Sequence, residues 1–286
     1  MQLILLTAMT MLAFAGNSVL CRMALAGATI DAASFTAIRL ASGALMLIVL
    51  MLFQTEFRTA GWNKMLSAGS WPSAAWLFLY ATGFSFSYLS LSTATGALIL
   101  FGMVQMTMMI ASVLSGERHS MTAWSGYMVA VTGLVLLLWP GAEAPSWWGT
   151  LLMAVAGIAW GMYSLHGRKS HSPLAQTAGN FILTLPMSAA MLLWSVNHLH
   201  GDMNGIFLAI ASGALASGLG YSLWYYVVSK MRGSTAATVQ LSVPVLAAAG
   251  GVVLMQEPVT LRLLLTSVMI LGGIAMVTMQ RTVRSV

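Results

Sequence analysis

The charges of this chain are confined to short gaps between long apolar runs. A helix that crosses a bilayer needs about 20 mostly apolar residues. Ten such runs can be placed, near 3–21, 33–53, 71–91, 94–115, 121–139, 147–167, 175–196, 205–229, 234–255 and 260–280. The gaps hold Asp31, Glu56 through Lys64, Glu117-Arg118, Glu143, Arg168-Lys169, Asp202, Lys230 with Arg232, and Glu257. Only 6% of the 286 residues are charged and 59% are hydrophobic, with a mean hydropathy of +0.86. A soluble domain carries about 25% charged residues. So few charges cannot wet a 30.3 kDa globule. The composition therefore excludes a soluble enzyme, a disordered chain and a secreted disulfide scaffold. A net charge of +6 in such a chain reflects membrane topology rather than nucleic acid. The single cysteine, Cys21, permits no internal disulfide, and no Cys/His spacing suits a metal. Neither a metal nor a cofactor is expected. An HExxH zinc motif and a G-x-S-x-G nucleophile turn are also absent from the sequence, so no enzyme is expected.

These runs predict an all-α integral membrane protein of ten transmembrane helices. Ala24-Leu25-Ala26 has the form of a signal-peptide cleavage site, but no basic stretch precedes the first run, which is read as a permanent helix. Lys/Arg placement orients the bundle. With the N-terminus in the cytoplasm, the inner gaps and tail hold Arg58, Lys64, Arg118, Arg168, Lys169, Lys230, Arg232, Arg281 and Arg284. The outer gaps hold only Arg22 and Arg262. Both termini are placed in the cytoplasm. The chain also repeats itself. Residues 92–137 align with 232–277 at a constant offset, so that Glu117 meets Glu257 and Gly133 meets Gly273. Each repeat, 1–140 and 141–286, holds five spans. Five is odd, so the second repeat is inverted, an arrangement that suits alternating access to a midplane site.

Several short motifs recur in both halves: Gly116-Glu117-Arg118 and Gln256-Glu257-Pro258 after spans four and nine, and Phe14-Ala15-Gly16-Asn17 and Ala159-Trp160-Gly161 in spans one and six. Ala37-Ile38-Arg39-Leu40 lies in span two and Ser242-Val243-Pro244 in span nine. In this order and topology the chain resembles the EamA family of the drug/metabolite transporter superfamily, and within it the YddG-type aromatic amino-acid exporters. The resemblance implies a multi-pass protein of the bacterial inner membrane. It also implies a central cavity built from spans one, three, four, six, eight and nine. The function it implies is export of amino acids, aromatic and other apolar ones. The partners are then the substrate and the lipid bilayer, without nucleic acid, and a ten-span chain encloses a pathway as a monomer.

Candidate binding residues come from polar and aromatic groups inside the spans. Tyr80, Phe84 and Tyr88 lie at i, i+4, i+8 on one face of span three. Trp160, Tyr163 and Ser164 mark span six, and Tyr221, Trp224 and Tyr225 span eight. Such stripes serve packing or lipid contact as readily as ligand binding, although Tyr hydroxyls within spans need partners. Asn17 and Gln240 are amides suited to an amino acid's α-amino and carboxylate groups, or else to interhelical hydrogen bonds. Gln105 is a third. Pro244 bends span nine and is the candidate hinge; Pro186 bends span seven. Gly157 and Gly161 form a GxxxG packing face. Six tryptophans near span ends, Trp71, Trp124, Trp139, Trp147, Trp148 and Trp194, fit interfacial belts. Glu117 and Glu257 are expected in hydrated turns, each as an anion at the next helix's N-terminus. Arg39, two turns into span two, is expected to snorkel to the outer interface or to pair with carbonyls at a helix end, with a direct role at the substrate ranked second. No Asp or Glu lies at the centre of any span. This favours a facilitative carrier over the alternative, a proton-coupled multidrug or metabolite antiporter.

Overall fold

The helices begin where a small polar side chain can take up an orphan backbone amide. Asp31, Ser70, Ser92, Ser120 and Asp202 each accept the N–H three residues on, the usual N-cap contact. The computed structural model describes residues 2–53, 67–116, 119–141, 144–167, 172–231, 236 and 239–278. Its helices are α1 (Gln2–Ala26), α2 (Ala32–Leu52), α3 (Trp71–Ser87), α4 (Thr93–Leu114) and α5 (Met121–Leu138). They continue as α6 (Trp147–Gly167), α7 (Pro173–Trp194), α8 (Met203–Val228), α9 (Ser242–Met255) and α10 (Leu261–Thr278). Among the described residues, eight of these are long and apolar enough to cross a membrane. The other two, α3 with 17 residues and α9 with 14, are shorter. Only an isolated bridge, Ile30 to Gly201, interrupts the all-helical character of the described residues. The first part of the expected span 234–255 lies largely outside them, as does Glu117.

The packing interleaves the two halves of the sequence. α5 lies along α10, α3 and α4 along α6, α2 along α7 and α8, and α1 along α8 and α9. Small residues allow the closest approaches, as expected where lipid removes any hydrophobic drive between helices. A Cβ on Gly157 would stand 2.8 Å from the Leu100 carbonyl oxygen, and one on Gly161 2.8 Å from Thr107 Cβ. The GxxxG face of α6 therefore seats against α4. The six span-end tryptophans are all exposed.

α8 is irregular. Residues Ala211–Leu219 form a π-helix, whose i→i+5 bonding stacks residues five apart. The sequence there repeats at that period, Ala211-Ser212-Gly213 and then Ala216-Ser217-Gly218. Ser212 and Ser217 thereby share one side, and both are buried. Gly213 lies so close to the α2 backbone that an added Cβ would strike the Arg39 carbonyl and the Ser42 hydroxyl.

The loops at the end where α1 finishes are clipped together. The Asp31 N–H donates to the His200 carbonyl at 3.0 Å, and the Asp202 N–H to the Thr29 carbonyl at 2.8 Å. The Asp31 carboxylate accepts from Ser34 N at 2.8 Å and His200 N at 2.9 Å. Burial pushes this carboxyl up, but the Ser34 hydroxyl and N–H, the His200 N–H and the His200 charge hold it net below its ordinary value. A lowered folded-state value contributes stability that is complete above the ordinary aspartate value of about 3.9. That stability is lost as the pH falls through the lower folded value. Thermal melting in detergent between about pH 6 and pH 3 should show a steeper acid loss for the wild type than for Asp31→Asn. Parallel curves would show that the clip does not titrate.

Candidate functional site

Between the halves lies a small cavity of about 30 Å³. α1 contributes Phe14, Asn17 and Ser18; α3 contributes Tyr80 and Phe84. Leu100 and Phe101 come from α4, Trp160 from α6, Ala216 and Tyr221 from α8, and Gln240 from just ahead of α9. Rings form most of its wall. Trp160 stands 4.8 Å from Tyr80 and 5.1 Å from Tyr221, centroid to centroid. Phe14 meets Tyr221 edge-on at 5.8 Å and Trp224 at 5.9 Å. Such offset and edge contacts are the favoured aromatic geometries. The volume suits about one water, whereas small-molecule pockets run to about 300 Å³ or more. The aromatic rings fill the space a ligand would take.

The polar groups converge on one hydroxyl. Tyr80 Oη accepts from Asn17 Nδ2 at 3.4 Å and from Arg39 Nη2 at 3.1 Å. Asn17 Oδ1 accepts from the Ser212 hydroxyl at 2.6 Å. The Arg39 guanidinium also donates from Nε to Ser217 Oγ at 3.5 Å. It lies over the rings of Phe84 at 4.8 Å and Tyr80 at 5.2 Å. Arg39 is only 2% exposed. It neither snorkels nor pairs with carbonyls, because α2 is packed between α7 and the π-helical stretch of α8 rather than facing lipid.

Of the residues picked out in the sequence, Asn17, Tyr80, Phe84, Trp160, Tyr221 and Gln240 meet at the cavity. The others do not line it. Tyr88 is the C-cap of α3, donates to the Thr93 carbonyl at 3.4 Å and packs onto Gly96. Tyr163 accepts from Asn180 Nδ2 at 3.5 Å. Tyr225 belongs with Tyr163 and Thr177 in that second polar cluster. The Ser164 hydroxyl bonds to the Trp160 carbonyl of its own helix at 2.7 Å. Trp224 packs behind Phe14, away from the cavity. Gln105 does not line it. The lining residues not among the sequence candidates are Phe14, Ser18, Leu100, Phe101 and Ala216; Arg39, placed by its sequence at the interface, lies instead behind the wall. For Ala216 the Ala-Ser-Gly repeat at period five is the sequence signal that could have marked it.

Pro244 falls in the first turn of α9, and the helix is broken at Leu241. Proline offers no N–H and crowds the carbonyl four residues back, here that of Gln240, so the break sits beside the cavity.

The two ends of the bundle differ. Where α1 finishes and α4 begins, Arg22 Nε meets Glu257 Oε1 at 3.3 Å, and Arg22 Nη1 donates to the Tyr88 carbonyl at 2.7 Å. Glu257 also accepts the Thr93 N–H, at 2.8 Å to Oε2. The expectation of a hydrated turn anion is corrected here. Glu257 is partly buried and caps the N-terminus of α4, from the other half of the chain, rather than that of its own next helix. Gln256, in the left-handed conformation (φ 55°), folds the chain back so that the Glu257 N–H reaches the Gly251 carbonyl at 3.1 Å. This is the Schellman pattern. At the opposite end an apolar crevice of about 560 Å³ opens between α1 (Leu3, Ile4, Thr7, Met11) and α9 (Ser242, Leu246). Met11, Phe14 and Val243 pack together between this crevice and the cavity.

Comparison with known proteins agrees with this architecture. A Pseudomonas aeruginosa protein, described as uncharacterised, is 48% identical over 99% of this chain and 96% of its own length. Two Archaeoglobus fulgidus proteins named as uncharacterised transporters are 27% and 28% identical. They align over 61% and 70% of this chain and 63% and 73% of their own lengths. A crystal structure 20% identical in sequence superposes with a TM-score of 0.63 over 95% of this chain and 97% of its own, which shows a shared fold. The model of the EamA-like transporter family matches residues 147–279. The chain is a multi-pass membrane transporter and belongs to the EamA family of the drug/metabolite transporter superfamily.

Proposed function

We propose that the protein exports amino acids, aromatic and other apolar ones, across the bacterial inner membrane as a facilitative, monomeric carrier. The observation that carries this reading is the cavity at the junction of the halves. It combines aromatic walls for an apolar side chain with the Asn17 and Gln240 amides and the Tyr80 hydroxyl for the polar groups. Alternating access follows from ten spans arranged as two inverted repeats, 1–140 and 141–286. Reciprocal packing supports it: α3 on α6 is matched by α8 on α1, α4 on α6 by α9 on α1, and α2 on α8 by α7 on α3. With both termini cytoplasmic, the Arg22–Glu257 clip closes the outer end and the crevice between α1 and α9 opens inward. Pro244 is then the hinge that lets α9 move. The test is uptake into proteoliposomes of labelled phenylalanine, threonine and methionine, each with and without an imposed pH gradient. Saturable uptake indifferent to the gradient is expected. Concentrative uptake only when protons flow, or flux of a lipophilic cation without amino-acid flux, would overturn the reading in favour of an antiporter.

A further inference from the structure

Arg39 is a permanent charge held in the middle of the bundle without a counter-ion among the described residues. Its polar partners are neutral hydroxyls, those of Tyr80 and Ser217, and its other neighbours are the faces of Tyr80 and Phe84. Nη1 is buried and has no hydrogen-bond partner. Among the described residues the acids are engaged elsewhere. Asp31 and Asp202 cap α2 and α8, and Glu257 binds Arg22 and Thr93. An unpaired charge within a membrane span is costly and marks a substrate pathway. The cluster around it is also rich in donors. Tyr80 Oη accepts two hydrogen bonds and also stands within hydrogen-bonding reach of the Tyr221 hydroxyl. Among the described residues the cavity lining contains no carboxylate. An anion entering here has the Arg39 cation just behind the Tyr80 and Phe84 rings, whereas an ammonium meets ring faces, hydroxyls and amide oxygens but no opposite charge among the described lining.

We infer that Arg39 recognises the substrate's carboxylate and that the site prefers organic monoanions with an aromatic or apolar body, such as N-acyl amino acids and aromatic 2-oxo acids, to zwitterionic amino acids. This rests on the exporter reading and sharpens its substrate class. Arg39 lies behind Tyr80 and Phe84, so the carboxylate meets the Tyr80 hydroxyl first and reaches Nη1 when those rings swing aside. A bidentate fork suits a carboxylate better than an ammonium point charge does. An anion leaving a negative-inside cell also moves down the membrane potential. Export then needs no coupled ion, in keeping with spans that lack central carboxylates.

The test uses the intact wild-type protein in proteoliposomes. Labelled phenylalanine uptake is competed with unlabelled phenylalanine, N-acetylphenylalanine and phenylalanine amide, which are a zwitterion, an anion and a cation. N-acetylphenylalanine should compete about tenfold more strongly than phenylalanine, and the amide should not compete. A valinomycin potential, inside positive, from a tenfold potassium gradient should raise labelled N-acetylphenylalanine accumulation about tenfold and leave phenylalanine unchanged. Arg39→Lys should weaken N-acetylphenylalanine competition and Arg39→Gln abolish it; if either variant fails to fold, the wild-type measurements decide. Competition by the amide equal to that of the anion, or anion uptake blind to the potential, would overturn the inference and leave the exporter reading standing. Flux of the anion alone upholds the inference and overturns amino acids as the cargo. No flux of any probe would overturn both.

Discussion

Replacing Gly213 with valine will destabilise the protein by about 3 kcal/mol or more, at the upper end of overpacking costs. The side chain would have to enter space occupied by the Arg39 carbonyl and Ser42. The first of these is backbone and has no rotamer to escape into. Relief requires moving α2 away from the π-helical stretch of α8, which would strip Ser217 from Arg39 and leave more of the guanidinium unpaired. Gly272→Ala is the matched control. It lies in the interior of α10 with nothing within 4 Å of an added Cβ, so the change should be stabilising by about 0.5–1 kcal/mol. Thermal unfolding of both variants in detergent checks the pair. A Gly213→Val protein that melts with the wild type would show that the α2–α8 contact yields easily.

Glu257→Ala will release the clip at the end where α1 finishes. The carboxylate holds Arg22 and the Thr93 N–H together, and hydrogen bonds to a charged group are worth about 1.5–3 kcal/mol each. Losing the equivalent of one such bond from one conformational state multiplies the population of the competing, opened state by roughly 10- to 100-fold. Cys21 reports the change without engineering. It is the one cysteine of the chain, adjoins Arg22, and is fully buried. Maleimide labelling of Cys21 should accelerate by that factor in Glu257→Ala and in Arg22→Ala. The double variant should add little, because the two residues act as one unit. Unchanged labelling would mean that this end stays shut without the ion pair.

The reach of the sequence is seen best where residues on one stripe part company. Tyr80, Phe84 and Tyr88 are evenly spaced, yet only the first two reach the cavity, because α3 ends at Ser87 and Tyr88 becomes its C-cap. In α8, Tyr221 lines the cavity, Trp224 backs Phe14 and Tyr225 faces Tyr163, so one turn serves three environments. A helix that is apolar on every side shows no amphipathic stripe to mark its buried face, and helical spacing alone cannot say which neighbour each residue meets. Arg39 illustrates the same point. Its depth along α2 was legible; whether lipid or protein surrounds that level was not.

What the sequence by itself determined is the membrane character, the approximate bounds of most apolar runs and the family. These follow from local quantities: run length against bilayer thickness and short motifs in fixed order. Only the tertiary structure decided that Arg39 lies behind Tyr80 with no counter-ion among the described residues, and that the two Ala-Ser-Gly triplets fall on a π-helix beside it. It also decided that Glu257 caps a helix of the other half and that the aromatic rings close the cavity to about 30 Å³. The reason is physical. Inside a bilayer the hydrophobic effect inserts helices but does not orient them against one another. Their rotation is settled by glycine contacts and buried hydrogen bonds between residues far apart in the chain.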